Sequence, residues 1–134
     1  MKPKINIITL AVHDLKKSIA FYKDGLGLPM EELVEGVDHV IFGLEGDLSL
    51  VLYLRTELEE FNQSNPLEKS SNVILSCAVE SKKEVDSILK TATEYGGTIL
   101  PNQPKDHDWG YSGHFKDPDG HIWEIVYFGK VSNA

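Results

Sequence analysis

The order of predicted strands and helices occurs twice along this chain, and this repeat limits its possible folds more than any other feature. The first half begins with the apolar run "INIITLAV", followed by the helix pattern "LKKSIAFYKD" and three short strand-like runs. The second half has the same order, from "NVILSCAVE" through a helix after Ser81 to three further strands. The repeat predicts two βαβββ modules, about 4–55 and 72–129, in a single α+β domain spanning 1–134.

Local patterns place the two helices and the connection between the modules. Asp14 and Ser81 each precede a helix pattern at an N-cap position, where a side-chain oxygen accepts from free amides of the first turn. Residues 56–71 are polar and predict a linker with one helical turn at "ELEEF", and the run at about 30–35 predicts a strand. The apolar stripe of the second helix is predicted to contain Val85, Ile88, Leu89, Ala92 and Tyr95.

Composition excludes several classes of function. The formal net charge is −8, and the sequence has no run rich in Lys or Arg that could form a basic surface. Both observations argue against nucleic-acid binding. Cys77 is the single cysteine, so no internal disulfide can form. Its place inside the apolar run "VILSCAV" predicts a buried thiol, which fits a reducing compartment. No apolar stretch has the length of a signal peptide or a membrane span. A soluble cytoplasmic protein without a membrane partner is expected.

The stretch "HFKDPDGHIWE" predicts a β-hairpin. "DPDG" has Pro where φ lies near −65° and Gly where φ is positive, which is typical of a type I turn with a glycine bulge. Counting outward from a pair formed by Asp117 and His121, His114 lies opposite Glu124. Because directly opposite residues share a face, these two side chains are expected to contact each other. Ser112 is predicted on the same face.

Glu124 is the main candidate functional residue, and three interpretations of it stay open. It lies between Trp123 and Ile125 in a strand with few polar residues, where an unpaired carboxylate is costly. It could be a metal ligand, an acid or base acting with His114, or a structural carboxylate in an ordinary cross-strand hydrogen bond. Glu124 and His114 are the candidate catalytic residues.

Two separated stretches resemble the vicinal oxygen chelate superfamily, which includes glyoxalase I, bleomycin- and fosfomycin-resistance proteins and extradiol dioxygenases. The first is "ITLAVHDLKKSIAFYKDGLGL", near the start, and the second is "WGYSGHFKDPDGHIWEIVY", near the end. The resemblance covers nearly the whole chain, from Ile5 to Phe128. It implies two βαβββ modules whose curled mixed sheets surround a cavity. It leaves the activity open, since this fold supports lyases, oxygenases, isomerases and binding proteins.

The resemblance also implies where a metal would bind. Metalloenzymes of this family place ligands at four inward-facing strand positions, which correspond here to Ile8, Val51, Ile74 and Glu124. Only Glu124 can bind a metal, whereas a catalytic divalent ion usually has three protein ligands. No cofactor is therefore predicted, and a divalent metal is disfavoured. An alternative site would combine His107, His114 and Glu124 if the loop "PNQPKDHDWG" folds over the hairpin.

Two functions remain as hypotheses. The first is a metal-independent protein that binds a small apolar or aromatic molecule, as the resemblance to bleomycin-resistance proteins implies. The second is a glyoxalase-type lyase or isomerase, or a dioxygenase relative, with an unorthodox metal site or Glu124 as general base. The resemblance and the exposed sheet edges expected of such small modules imply a homodimer. The candidate ligand-binding residues are Trp109, Tyr111, His114, Glu124, Ile8, Val51 and Ile74.

Overall fold

Two β-sheets form the framework, one in each half of the chain, and with their few helices they make a mixed α+β fold, as predicted. The computed structural model describes residues 1–31, 38–61 and 73–129. The chain divides into two compact units, Met1–Glu68 and Lys69–Ala134. None of the helices in these described ranges has the length and apolarity that a membrane crossing requires.

The sheet of the first unit has three strands in the order β1-β3-β2. Strand β3 is parallel to β1 and antiparallel to β2. Met30 pairs with Phe42 in an isolated bridge, at the start of the strand predicted at about 30–35. The rest of that predicted strand, from 32 onward, lies outside the described residues. The strand bounds are Ile7–Val12 for β1, His39–Gly43 for β2 and Ser49–Leu54 for β3.

The first helix covers one face of this sheet. Helix α1, Leu15–Ile19, begins where the Asp14 carboxylate accepts a hydrogen bond from the Lys17 amide, at 3.2 Å, which confirms the predicted N-cap. It continues as a π-helical segment, Ala20–Gly25, which the sequence pattern did not predict. The first unit's core is fully buried and contains Val12, Phe21, Tyr22, Val40, Phe42, Leu50 and Leu52.

A second helix begins directly after β3, within the predicted linker. Helix α2, Arg55–Phe61, includes the "ELEEF" stretch, so the helical turn expected there is confirmed and extended. The remainder of the predicted linker, 62–71, lies outside the described residues.

The sheet of the second unit has a main path of four strands in the order β4-β8-β7-β5, with β6 paired to β7. Strand β4 runs parallel to β8, and the other pairs are antiparallel. Strand β6 lies in the stretch "PNQPKDHDWG", so the prediction of a loop throughout that stretch was wrong. The bounds are Ile74–Ala78 for β4, Thr98–Ile99 for β5, Lys105–His107 for β6, Gly110–Lys116 for β7 and Ile122–Tyr127 for β8.

Helix α3, Lys82–Glu94, packs on one face of this sheet. The Ser81 hydroxyl accepts from the Glu84 amide at 3.1 Å, which confirms the predicted N-cap. Leu89 lies directly over Gly113 of β7, where an added Cβ would come within 2.3 Å of the Leu89 Cδ1 atom. Tyr95, predicted in the apolar stripe, is instead 41% exposed, because the helix has already ended there.

Candidate functional site: a polar row on the face of β4, β8 and β7 opposite α3

The turn that sets the register of the last hairpin is held by Asp117. Its backbone amide donates to the His121 carbonyl at 2.8 Å, and Gly120, with φ of 92°, occupies the glycine position of the bulge. The Asp117 carboxylate accepts from the amides of Asp119 and His121, at 2.9 and 2.8 Å. Because these bonds fix the start of the ladder, His114 pairs with Glu124. The predicted register is confirmed.

Four side chains form a polar row across the sheet, defined by Gln103, His114, Glu124 and Ser76. Ser76 of β4 pairs in register with Glu124 of β8, and its hydroxyl donates to Glu124 Oε1 at 2.8 Å. His114 Nε2 lies 3.5 Å from the other carboxylate oxygen, Oε2. The His114 and Glu124 side chains are 22% and 24% exposed, so both are shielded from solvent without being fully buried. The row lies on the face opposite α3.

Gln103 determines how the His114 ring carries its proton. The Gln103 Oε1 atom accepts from the backbone amide of His114 at 3.2 Å and lies 3.2 Å from His114 Nδ1. A carbonyl oxygen only accepts, so Nδ1 carries the proton in this contact. Nε2 faces the Glu124 carboxylate, and it then carries a proton only when the imidazole is doubly protonated.

The Glu124 carboxylate has spare capacity to accept hydrogen bonds. Charge-assisted N–H···O bonds are usually 2.7–2.9 Å long. The 3.5 Å between His114 Nε2 and Glu124 Oε2 is longer, whereas Ser76 holds Oε1 at an ordinary distance. Each ionised carboxylate oxygen has about two acceptor positions. Oε2 is therefore the atom of the row best able to accept a donor from a bound molecule.

Apolar residues lie along one side of the row. Ile74 and Ile122 pair with each other two positions along the strands from Ser76 and Glu124, so they share the same face. The Ile74 side chain is 54% exposed. The predicted ligand-binding residue Ile74 therefore lies beside Glu124 in the second unit.

Aromatic residues lie on the other side of the row. Ser112, on the face of Glu124 as predicted, is bonded to His107 Nε2 at 2.9 Å. The His107 ring stacks on Trp109, with centroids 4.4 Å apart and planes 6° from parallel. Trp109 also contacts Phe128 at 5.5 Å and remains 36% exposed. Trp109 is therefore connected through His107 to the face that carries the row.

The structure separates Tyr111 from the other candidate ligand-binding residues. Tyr111 lies one position from Ser112 on β7, so it faces α3, where its hydroxyl donates to the Asp86 carboxylate at 2.6 Å. This hydrogen bond, with desolvation, raises the pKa of Tyr111 to about 12. Lys82 lies over the Tyr111 ring, with its Nζ atom 5.4 Å from the centroid. The expected grouping of Tyr111 with Glu124 was wrong, because neighbouring residues of a strand point to opposite faces.

The two candidates in the first unit, Ile8 and Val51, lie on opposite faces of its sheet. Ile8 pairs with Leu50 on the face that carries the buried core, whereas Val51 pairs with Thr9 on the other face. The predicted grouping of Ile8 with Val51 was wrong by one position along β1, because Thr9 and not Ile8 shares a face with Val51. Val51 is 8% exposed, so little of its side chain is available to a ligand.

The donor set on the described residues does not fit a metal centre of the kind the resemblance implies. Nowhere in residues 1–31, 38–61 and 73–129 do three or more His, Cys, Asp or Glu side chains gather in an arrangement that could hold an ion. The alternative triad is not assembled, since His107 bonds to Ser112 while His114 and Glu124 form their own pair. One carboxylate and one imidazole are fewer ligands than divalent catalytic sites use.

Comparison with known proteins supplies the family. The family model described as the Glyoxalase/Bleomycin resistance protein/Dioxygenase superfamily matches residues 4–125. The chain belongs to this superfamily. The uncharacterized protein YraH of Bacillus subtilis (strain 168) is 34% identical over 128 residues, which cover 91% of this chain and 96% of YraH. The resemblance inferred from the two end motifs is therefore confirmed.

Two further superfamily relatives bear on activity and fold. The metallothiol transferase FosB of Lysinibacillus sphaericus (strain C3-41) is 31% identical over 121 residues, covering 90% of this chain and 79% of FosB. The crystal structure of a glyoxalase-related enzyme from Fulvimarina pelagi matches with a TM-score of 0.81 at 26% identity, covering 93% of this chain and 88% of that one. The superfamily fold is shared along almost the whole chain.

Sequence reasoning missed two members of the polar row, Ser76 and Gln103. Ser76 lies 48 residues before its partner Glu124, and the parallel pairing that joins them cannot be counted from a turn. The available signal was a hydroxyl inside the apolar strand "VILSCAV". Cys77 of the same strand is exposed, so its predicted burial was wrong. Gln103 lies in a loop before β6, and no sequence pattern directs it to His114.

Proposed function

We propose that the second unit binds a small, largely apolar or aromatic molecule without a divalent metal, and that Glu124 Oε2 accepts a hydrogen bond from it. The observation that supports this proposal is the unequal use of the two carboxylate oxygens. Ser76 holds Oε1 at 2.8 Å, while the nearest partner of Oε2 among the residues that the structure describes, His114 Nε2, is 3.5 Å away. A bound donor would complete the hydrogen bonding of Oε2.

The surroundings of the row suit a ligand with an apolar body and one donor group. Small-molecule sites are mostly apolar with a few well-placed polar groups that orient the ligand. Here Ile74 and Trp109 supply exposed apolar surface on the two sides of the row, and Glu124 and His114 supply the polar contacts. The ligand class is therefore a planar aromatic or heteroaromatic molecule carrying an N–H or O–H group.

A matched pair of probes tests this proposal. Indole carries an N–H donor, and N-methylindole has the same ring without it. A hydrogen bond to a charged group contributes about 1.5–3 kcal/mol, so indole should bind about tenfold or more tightly than N-methylindole. Thermal shift reports the binding of each probe to the wild type and to Glu124→Gln. The proposal fails if both probes bind equally, or if Glu124→Gln leaves the preference for indole unchanged.

A metal-dependent thiol transferase is the second candidate. It is favoured by the 31% identity to a metallothiol transferase over 90% of this chain. Such an activity would need metal ligands beyond His114 and Glu124. Titration calorimetry with Mn²⁺ and Zn²⁺ separates the two candidates, since tight binding of about one ion per chain would favour the transferase. Related lyase, isomerase or dioxygenase activities would be favoured by the same result.

Self-association is part of the proposed function, because both sheets end in strands with exposed apolar residues. Strand β4 ends the order β4-β8-β7-β5, and its Ile74 and the preceding Val73 are 54% and 62% exposed. Strand β1 ends the other sheet, and Ile7 is 60% exposed. Exposed edges of this kind favour pairing with another chain. Light scattering should report twice the monomer mass, and a monomer at micromolar concentration would contradict the homodimer.

A further inference from the structure

A second cluster of titratable side chains lies in the first unit, made of Asp38, His39 and Tyr53. His39 Nδ1 lies 2.7 Å from Asp38 Oδ1, and the Tyr53 hydroxyl donates to Asp38 Oδ2 at 3.3 Å. The His39 and Tyr53 rings stack with centroids 5.1 Å apart and planes 8° from parallel. The His39 ring is therefore held in one orientation by a carboxylate at its edge and an aromatic ring on its face.

The cluster lies on the side of the first sheet opposite the buried core. His39 pairs with Tyr53, and two positions further along the same strands Ile41 pairs with Val51. Thr9 of β1 pairs with Val51 and shares this face. The His39 side chain is 39% exposed, so its ring edge can be reached from solvent. Ile41 thus presents an apolar side chain on the face of the histidine, two positions along β2.

The hydrogen bonds determine which nitrogen of His39 is basic. The hydrogen bond from His39 lowers the pKa of Asp38 below its ordinary value, as does the Tyr53 hydroxyl, so the carboxylate is ionised at neutral pH and only accepts. Nδ1 must then carry the proton in its contact with Asp38. In the neutral ring Nε2 bears the lone pair. Within the described residues no hydrogen bond engages His39 Nε2.

We infer that Asp38, His39 and Tyr53 form a proton-accepting site, in which His39 Nε2 acts as general base toward a planar aromatic molecule with an acidic C–H, N–H or O–H group. Asp38 orients the ring and stabilises the imidazolium that forms when Nε2 takes the proton, which is how carboxylates assist catalytic histidines. Ile41 supplies the apolar contact for the ring of the substrate. These three residues belong to the first unit, and none of them is a member of the polar row.

Ring opening of a nitrobenzisoxazole is a direct probe of this site, because it needs a base and no other reactant. Nε2 removes the proton on the ring carbon next to nitrogen. The electrons of that C–H bond form the nitrile, and the N–O bond breaks with its electron pair remaining on oxygen. The product is a coloured cyanonitrophenolate, and the proton passes from His39 to the buffer. Absorbance therefore reports the rate of proton abstraction.

The experiment compares the full-length wild type, His39→Gln, Asp38→Asn and a control, His13→Gln, which removes another histidine of the same unit. A positioned general base contributes about 100-fold or more, so wild-type kcat/KM should exceed the rate constant of N-acetylhistidine amide by about 100-fold. His39→Gln should lose this advantage. Asp38→Asn should lose about tenfold, because His39 remains but its ring is no longer held in the reactive tautomer. His13→Gln should react as the wild type does.

Four results would overturn the inference. These are a wild type no faster than the free histidine amide, a His39→Gln variant that retains the wild-type rate, an Asp38→Asn variant that retains the wild-type rate, or a His13→Gln variant that loses as much as His39→Gln. Circular dichroism establishes that each variant is folded. If His39→Gln does not fold, the wild type against the free amide and Asp38→Asn against the wild type still decide the question.

Discussion

Double-mutant cycles on the polar row are expected to show that Ser76 holds Glu124 more strongly than His114 does. The Ser76 hydrogen bond to Oε1 is 2.8 Å long. Hydrogen bonds to charged groups contribute about 1.5–3 kcal/mol, and because the Ser76 side chain is exposed we expect a coupling at the lower end, about 1.5 kcal/mol. The Glu124 carboxylate would therefore be positioned mainly by Ser76 of β4, although Ser76 is farther from it in the sequence than His114 is.

The coupling between His114 and Glu124 should be smaller. Their closest atoms are 3.5 Å apart. Two full charges at this distance would attract by about 5 kcal/mol at an effective dielectric constant of about 20, but the cost of desolvating the two groups offsets most of this attraction. A net coupling of about 0.5–1 kcal/mol remains, as for other partly exposed pairs. The order of the two couplings is the expectation to be tested.

Urea unfolding followed by circular dichroism measures each free energy. The cycles use Ser76→Ala, His114→Ala and Glu124→Ala with the corresponding double variants. Thr93→Ala on α3 is the control, because within the described part of the chain the Thr93 hydroxyl bonds only to the Lys90 carbonyl of its own helix. Its combination with Glu124→Ala should be additive within about 0.5 kcal/mol. The reasoning is refuted if the His114 cycle gives the larger coupling, or if neither cycle exceeds the control.

Three further predictions address packing, ionisation and metal content. Gly113→Ala should destabilise the protein by about 1–3 kcal/mol in urea unfolding, since its new Cβ would lie 2.3 Å from Leu89 Cδ1, and unchanged stability would contradict the packing. Because the pKa of Tyr111 is raised from 10.0 to about 12 in the folded state, stability present below about pH 10 should be lost as pH rises toward 12. Tyr111→Phe should lack this loss of stability. If stability of Tyr111→Phe falls over the same pH range as that of the wild type, the raised pKa of Tyr111 and its hydrogen bond to Asp86 are refuted as the cause. Elemental analysis of dialysed protein should find far less than about one Zn, Ni, Mn or Fe per chain, and about one per chain would favour the enzyme hypothesis.

Short-range rules were sufficient for the hairpin and for the helix starts. The turn at Asp117 to Gly120 has a defined loop length, so counting outward from it places His114 opposite Glu124 without further information. Asp14 and Ser81 begin their helices for the same local reason, because an N-cap needs only an oxygen beside free amides. These features depend on residues close together in the sequence.

Features that depend on distant residues could not be predicted. The assignment of Ile8 and Val51 to one face failed because each was taken from a separate strand, and a shift of one residue reverses the face. Tyr111 is a different case, because the alternation of side chains along β7 already places it on the face opposite His114 and Glu124, where it bonds to Asp86 of α3. Ser76 was missed because the parallel pairing of β4 with β8 joins strands from opposite ends of the module.

Titration calorimetry of indole into chelator-treated protein tests the proposed function most directly. The account predicts that indole binds the metal-free wild type with the same affinity whether or not a divalent ion is then added. It also predicts that Glu124→Gln weakens this binding by about tenfold or more, since the ligand donor loses a charged acceptor. Binding that appears only after one equivalent of Mn²⁺ or Zn²⁺ is added, or that is unaffected by Glu124→Gln, would contradict the account.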